Sequence, residues 1–173
     1  AHVVHLSAAG ALAELAAARA KGLPVSVETC PHYLTFTAED IPDGATHFKC
    51  APPIRERFNR ERLWRGLVAG EIDCIVSDHS PCAPALKHLD AGDFDAAWGG
   101  IAGLQFGLSV MWTAMLERHR SLSDLVRWMC RGPAQLAGLG ARKGTIAPGF
   151  DADFVIWDPD TRFVLAPEQV RHR

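Results

Sequence analysis

His5, His32 and Asp78 are the residues from which chemistry can be read first. Each follows a run that reads as a strand: His5 after Val3-Val4, His32 after Val25 to Cys30 and Pro31, Asp78 after Ile72 to Ser77. Two imidazoles and a carboxylate gathered at one place form a donor set suited to zinc or a similar divalent ion. A carboxylate so placed can also move a proton between water and a leaving group. Each residue has a plainer reading as well. His5 alone fits a hydrogen-bonded core histidine, His32 a loop residue oriented by Pro31, and Asp78 with Ser80 the start of a turn or a helix cap. His79 puts a second ionisable group beside Asp78, with no role fixed by its position.

The elements that must position these groups alternate. His2 to Leu6 reads as a strand. Ser7 can cap the next helix, where Ala8, Leu12, Leu15 and Ala16 recur at helical spacing until Gly22 and Pro24. Val25 to Cys30 reads as a second strand closed by Pro31. Asn59 to Ala69 is a helix carrying Leu63, Trp64, Leu67 and Val68, stopped by Gly70. Ile72 to Ser77 is a third strand, apolar on both faces as in a parallel sheet. Strand, helix, strand, helix, strand argues for parallel pairing with right-handed crossovers. In an α/β barrel, groups at the C-terminal ends of strands do the chemistry.

Two irregular stretches, residues 33–56 and 79–100, are long enough to be functional rather than mere connections. Within the first, Cys50-Ala-Pro-Pro-Ile-Arg55 is stiff enough to present backbone amides to a ligand, or is simply a proline-rigid turn. Trp98-Gly-Gly-Ile-Ala-Gly103 permits close approach of a ligand to the backbone, but lacks the spacing of a dinucleotide fingerprint. Leu104, Leu108, Met111, Trp112 and Met115 mark a long amphipathic helix. Ser121 with Asp124 resembles a capping box ahead of Leu122, Leu125, Val126 and Met129, and Gly132-Pro133 is expected to break that helix, with a short helix through Leu139 after it. Phe154 to Trp157 and Phe163 to Leu165 read as short strands that need partners.

Bulk properties exclude more than they select. The chain has 173 residues, 48% hydrophobic and 22% charged, with a formal net charge of -2, so neither a nucleic-acid footprint nor a membrane partner is expected. The most apolar region, 101–116, is too short and too mixed to span a bilayer. Five cysteines, an odd count without any Cys-x-x-Cys, argue against a disulfide framework or a zinc knuckle and fit a reducing cytoplasm. Cys30 and Cys82 fall near the three polar strand ends, yet no base is spaced to activate either as a nucleophile.

Five motifs carry a resemblance: His2-Val-Val-His5-Leu-Ser, Glu28-Thr-Cys-Pro-His32-Tyr, Lys49-Cys-Ala-Pro-Pro-Ile-Arg55, Asp73-Cys-Ile-Val-Ser-Asp78-His-Ser-Pro-Cys82 and Trp98-Gly-Gly-Ile-Ala-Gly-Leu-Gln105. Together they make the chain similar to the cyclic amidohydrolases, and within them to the allantoinases. Gly144 to Asp153 resembles that family's return into its small β domain. The resemblance implies a (β/α)₈ barrel with a small β-sandwich, of which 1–142 would be a partial barrel carrying strands six to eight and 143–173 an incomplete set of C-terminal strands. It implies His5 as a metal ligand and Asp78 as metal ligand and proton shuttle. His32 is near the site without being one of the family's usual ligands. Backbone around Ala51 and Gly99 would hold the ring amide of the substrate.

The family's other ligands, a His-x-His pair, a carboxylated lysine and a further histidine, have no counterpart in this sequence. The implied cofactor is a pair of divalent ions, zinc or else cobalt or manganese. The implied reaction is hydrolytic opening of allantoin to allantoate by a homotetramer. A hydantoinase, dihydropyrimidinase or dihydroorotase, and a non-catalytic amidohydrolase-like subunit, are the alternatives. The expectation is a C-terminal piece of such an enzyme, inactive by itself.

Overall fold

A computed structural model describes residues 1–171. Three short parallel strands form one sheet in the order β1-β2-β3: β1 is His2–Val3, β2 is Ser26–Thr29 and β3 is Cys74–Ile75. Register places Val3 opposite Val27 and Thr29 opposite Ile75. The α/β reading with a parallel sheet holds. The strands are shorter than their apolar runs because β1 and β3 each have one neighbour, and no described strand pairs with their outer edges. Past β1, the chain stays pegged to β2 by Leu6 N–H donating to Glu28 O (2.8 Å) and Thr29 Oγ1 donating to Leu6 O (2.8 Å).

Helix α1, Leu12–Ala20, begins later than the spacing suggests, after a 3₁₀ turn at Ala9–Ala11. Ser7 does not cap it. Its hydroxyl donates to Pro53 O and accepts from Arg55 Nε, while Asn59 Oδ1 takes the N–H of Ala9 (2.8 Å). A tertiary partner has displaced the local cap. Pro31 does more than close β2: it opens a short helix α2, Pro31–Thr35, as a proline at the first helical turn can. Helix α3, Arg57–Ala69, ends on Gly70 at φ 78°, a left-handed cap that glycine adopts without strain.

Helix α4 is Gly107–Leu116, and Met111 and Met115 are its fully buried residues. Ser121 and Asp124 form the capping box of α5, Leu122–Val126. Gly132-Pro133 does not break the helical path beyond α5. A π turn, Arg127–Arg131, leads straight into α6, Gly132–Leu136. The wider turn accommodates Pro133, whose ring would obstruct regular α geometry. Gly132 serves packing: a Cβ there would lie 2.7 Å from Asp73 O and 2.9 Å from Cys74 Cβ. The core joins the sheet to these helices through Val27, Leu34, Leu63, Leu67, Ile72, Ile75 and Trp128. Burial of these side chains, at about 25 cal/mol per Å² of apolar surface, drives the assembly.

Residues 143–171 differ from the expectation of strands. Neither 154–157 nor 163–165 is paired as a strand, and His172 and Arg173 lie outside the described residues. Ile156 is 97% exposed and Val164 94%. Two short strands with no third to pack on are marginal in water, which accounts for their absence. The segment is tied to α4 by Trp112, whose ring meets Trp157 edge-on and whose Nε1 donates to Pro159 O (3.0 Å). No helix among the described residues is long and apolar enough to cross a membrane.

Candidate metal centre

His32 and Asp78 come together beyond β2 and β3, and His5 lies near enough for its charge to act on His32. His5 and Asp78 leave their strands in the same unusual way, with left-handed backbone at φ 39° and φ 44°. Neither is glycine, so each carries strain of about 1 kcal/mol or more that the surroundings must offset. His88 and His119 share this backbone in turns away from the strand ends, so φ alone does not mark a site. His5 Nδ1 is buried and has no hydrogen-bond partner among the described residues. That nitrogen is free to meet a ligand.

His32 sits in the first turn of α2, only 4% exposed, and its Nε2 is likewise buried without a partner. Burial drives its pKa down to about 4, the charge of Asp78 pulling it back up and that of His5 pushing it further down. At neutral pH the ring is therefore a neutral imidazole, the form that binds metals. Cys30, at the end of β2, is fully buried. A ring nitrogen of His32, Cys30 Sγ and a carboxylate oxygen of Asp78 all lie within 4.8 Å of one another. Burial, with Asp78 and Glu28 nearby, holds the Cys30 thiol far above the ordinary thiol range, so it is no nucleophile.

The donor set fits a divalent ion. It offers an imidazole nitrogen orphaned at each of two positions and a carboxylate that reaches solvent, and zinc binds both donor types. Orphaned buried nitrogens are costly and call for a partner.

The two backbone stretches singled out in the sequence meet. A Cβ at Gly99 would be 3.8 Å from Ala51 N and 3.9 Å from Ala51 Cβ, so small residues face each other there. Gly100 donates its N–H to Lys49 O (2.9 Å), and any side chain on it would collide with Ser80. His79 is placed differently from a ligand: its Nδ1 accepts from Leu104 N–H (3.2 Å), and its backbone pairs with Ile101. It ties the residue after Asp78 to the glycine-rich segment.

Sequence reasoning missed Lys87. Its Nζ donates to Lys49 O (3.2 Å), Trp98 O (3.0 Å) and Gly100 O, clamping the Ala51 and Gly99 backbones together from behind. Nothing in the irregular 79–100 stretch sets Lys87 apart from any other lysine. Cys30 was visible as a neighbour of the site but not as a donor. A cavity of about 1150 Å³ lies elsewhere, between α4 and residues 157–163, and none of the candidate residues lines it.

Residues 1–171 match the sequence pattern of the Amidohydrolase family. The chain is 53% identical over 172 residues to the allantoinase of Streptomyces avermitilis, covering 99% of this chain and 38% of that protein. It is 50% identical over 169 residues to the allantoinase of Saccharomyces cerevisiae, covering 98% and 36%. Among solved structures, the L-hydantoinase (dihydropyrimidinase) of Arthrobacter aurescens superimposes with a TM-score of 0.82 at 35% identity, over 88% of this chain and 34% of that one. A D-hydantoinase superimposes with a TM-score of 0.86 at 33% identity, over 96% and 37%. The chain thus spans well under half the length of the relatives it matches.

Proposed function

The chain belongs to the amidohydrolase family, and from that premise we propose that it supplies part of the active site of an allantoinase, opening the cyclic amide of allantoin to allantoate. One observation carries the site assignment: His5 and Asp78, both in strained left-handed backbone, stand at the ends of a shared parallel sheet, with unsatisfied imidazole nitrogen facing metal-binding chemistry. The substrate assignment is supported by higher identity to allantoinases than to hydantoinases. In this reading β1, β2 and β3 are strands six to eight of a (β/α)₈ barrel, and 143–173 is part of a small β domain.

His5 and Asp78 would each hold a divalent ion, zinc by preference and cobalt or manganese otherwise. Such ions supply Lewis-acid polarisation of the ring carbonyl and acidify water. Asp78 accepts the proton of the attacking water and returns it to the departing ring nitrogen, its carboxylate being the group in reach of solvent. The backbones at Ala51 and Gly99 hold the ring amide, where side chains larger than those present would crowd it. His32 stays neutral and buried, so it adds no positive charge against the ions. Two protein ligands are fewer than a catalytic zinc usually has. These 173 residues alone are therefore expected to lack a stable two-metal centre and turnover. The complete enzyme is proposed to be a cytoplasmic homotetramer.

The test is a graft. These residues replace the corresponding segment of the Streptomyces avermitilis allantoinase, to which they are 53% identical. The chimera should produce allantoate, and Asp78→Asn should fold but lose most of kcat. A higher kcat/KM for dihydrouracil or hydantoin than for allantoin would move the assignment to a hydantoinase. A folded, metal-loaded chimera inactive on all of them would make the chain a non-catalytic subunit.

A further inference from the structure

Cys30 has no part in the mechanism above, yet it is one corner of the tightest donor cluster in the described residues. Its sulfur, a ring nitrogen of His32 and a carboxylate oxygen of Asp78 lie within 4.8 Å of one another. Around a tetrahedral ion with metal–sulfur and metal–nitrogen distances of about 2.3 and 2.0 Å, sulfur and nitrogen lie about 3.5 Å apart. Contraction from within 4.8 Å to about that spacing would complete such a shell. Cys30 directly follows β2, His32 lies in the first turn of α2, and Asp78 lies three residues past β3. Their backbones are held by the ladder and by Val76 N–H donating to Thr29 O (3.0 Å). Two of the donors are buried, His32 Nε2 has no partner, and Asp78 leaves the cluster one opening to solvent. His5, with its own orphaned Nδ1, borders the group without joining it.

We propose that Cys30, His32 and Asp78 form a second metal position, a single sulfur–nitrogen–oxygen site selective for thiophilic divalent cations such as zinc, cobalt or cadmium over magnesium or calcium. Selectivity follows from donor softness, since magnesium and calcium prefer all-oxygen shells. On binding, the Cys30 S–H bond breaks, a metal–sulfur bond forms and the proton passes to buffer. The fourth position, on the solvent side of Asp78, takes water. The site stands on this geometry alone. Its consequence, that a cation held here takes Asp78 away from proton transfer, rests on the hydrolase reading.

Cobalt(II) reports sulfur ligation directly, independent of any turnover. Titrating cobalt into the full chain in chelator-stripped buffer should give a sulfur-to-metal charge-transfer band that saturates near one equivalent. Cys30→Ser should abolish the band and Cys74→Ser, equally buried but outside the cluster, should keep it. His32→Gln should weaken binding at least about tenfold, as loss of one ligand does. X-ray absorption on the wild-type chain, which needs no variant to fold, should show one sulfur in the first shell. A cobalt shell of nitrogen and oxygen only, or a band that survives Cys30→Ser, would overturn the site.

Discussion

Lys87→Met isolates the clamp behind the Ala51 and Gly99 backbones, because methionine keeps most of the apolar stem and removes only the ammonium. Three carbonyls lose a charged donor: those of Lys49, Trp98 and Gly100. A hydrogen bond from a charged group contributes about 1.5–3 kcal/mol, but the contact at 3.2 Å is a weak one. Water reaches this partly exposed position and satisfies some of what is lost. The freed side chain also regains rotamer entropy, up to about 2 kcal/mol for lysine. The net cost is therefore about 2 kcal/mol, confined to the stretch the clamp holds, or roughly a thirtyfold shift in its opening equilibrium. Native-state hydrogen exchange reads this at two amides: Gly100 N–H, bonded to Lys49 O, and Trp98 N–H, bonded to Leu86 O. Both should lose protection about thirtyfold, while amides inside α3 keep theirs. Unchanged protection at Gly100 would mean that the ammonium is not what joins the two segments. An equal fall throughout α3 would mean that the clamp is part of global stability instead.

Gly132→Ala should destabilise the chain by about 1–3 kcal/mol in urea unfolding, because its Cβ would press on Asp73 O and Cys74 Cβ, where the backbone cannot easily yield; a neutral substitution would show the π turn shifts freely. The metal-free chain should lose stability as pH falls from about 6.5 to about 4, since the unfolded imidazole of His32 takes a proton there and the buried one does not. The loss should reach about 3 kcal/mol and level off below about pH 4, and His32→Gln should remove it from the pH profile of the urea midpoint. Brief alkylation of the native chain should modify Cys82 and Cys130 and spare Cys30, Cys50 and Cys74, which are buried. Mass spectrometry of peptides counts the adducts, and early labelling of Cys74, whose thiol burial pushes up to about 12, would contradict the packing of β3.

Legibility in the sequence divides along local and non-local causes. The parallel sheet was legible because the strand runs at Val25 to Cys30 and Ile72 to Ser77 alternate with helical spacing, and because Gly22, Gly70 and Ser121 punctuate the helices with their own chemistry. The proximity of His32 and Asp78 was legible because each stands just past a strand run. Ser7 misled because Pro53, Arg55 and Asn59, far along the chain, compete for its groups. Gly132-Pro133 misled because its glycine answers to the backbone of β3 rather than to its own helix. Lys87 was invisible since its partners are backbone carbonyls, which every residue carries. The strands expected after Lys143 depend on neighbours that no pattern inside the segment can provide.

The left-handed backbone at His5 and Asp78 has a bearing on how this protein would respond to selection in the laboratory. Glycine or asparagine would take both positions with less strain than the histidine and aspartate found there. A library screened for yield or heat resistance should drift toward those replacements there, each gaining about 1 kcal/mol while discarding a metal donor. Screening for solubility and screening for turnover would thus pull the same two codons in opposite directions, and the enrichment ratio at them would report which pressure the library had met.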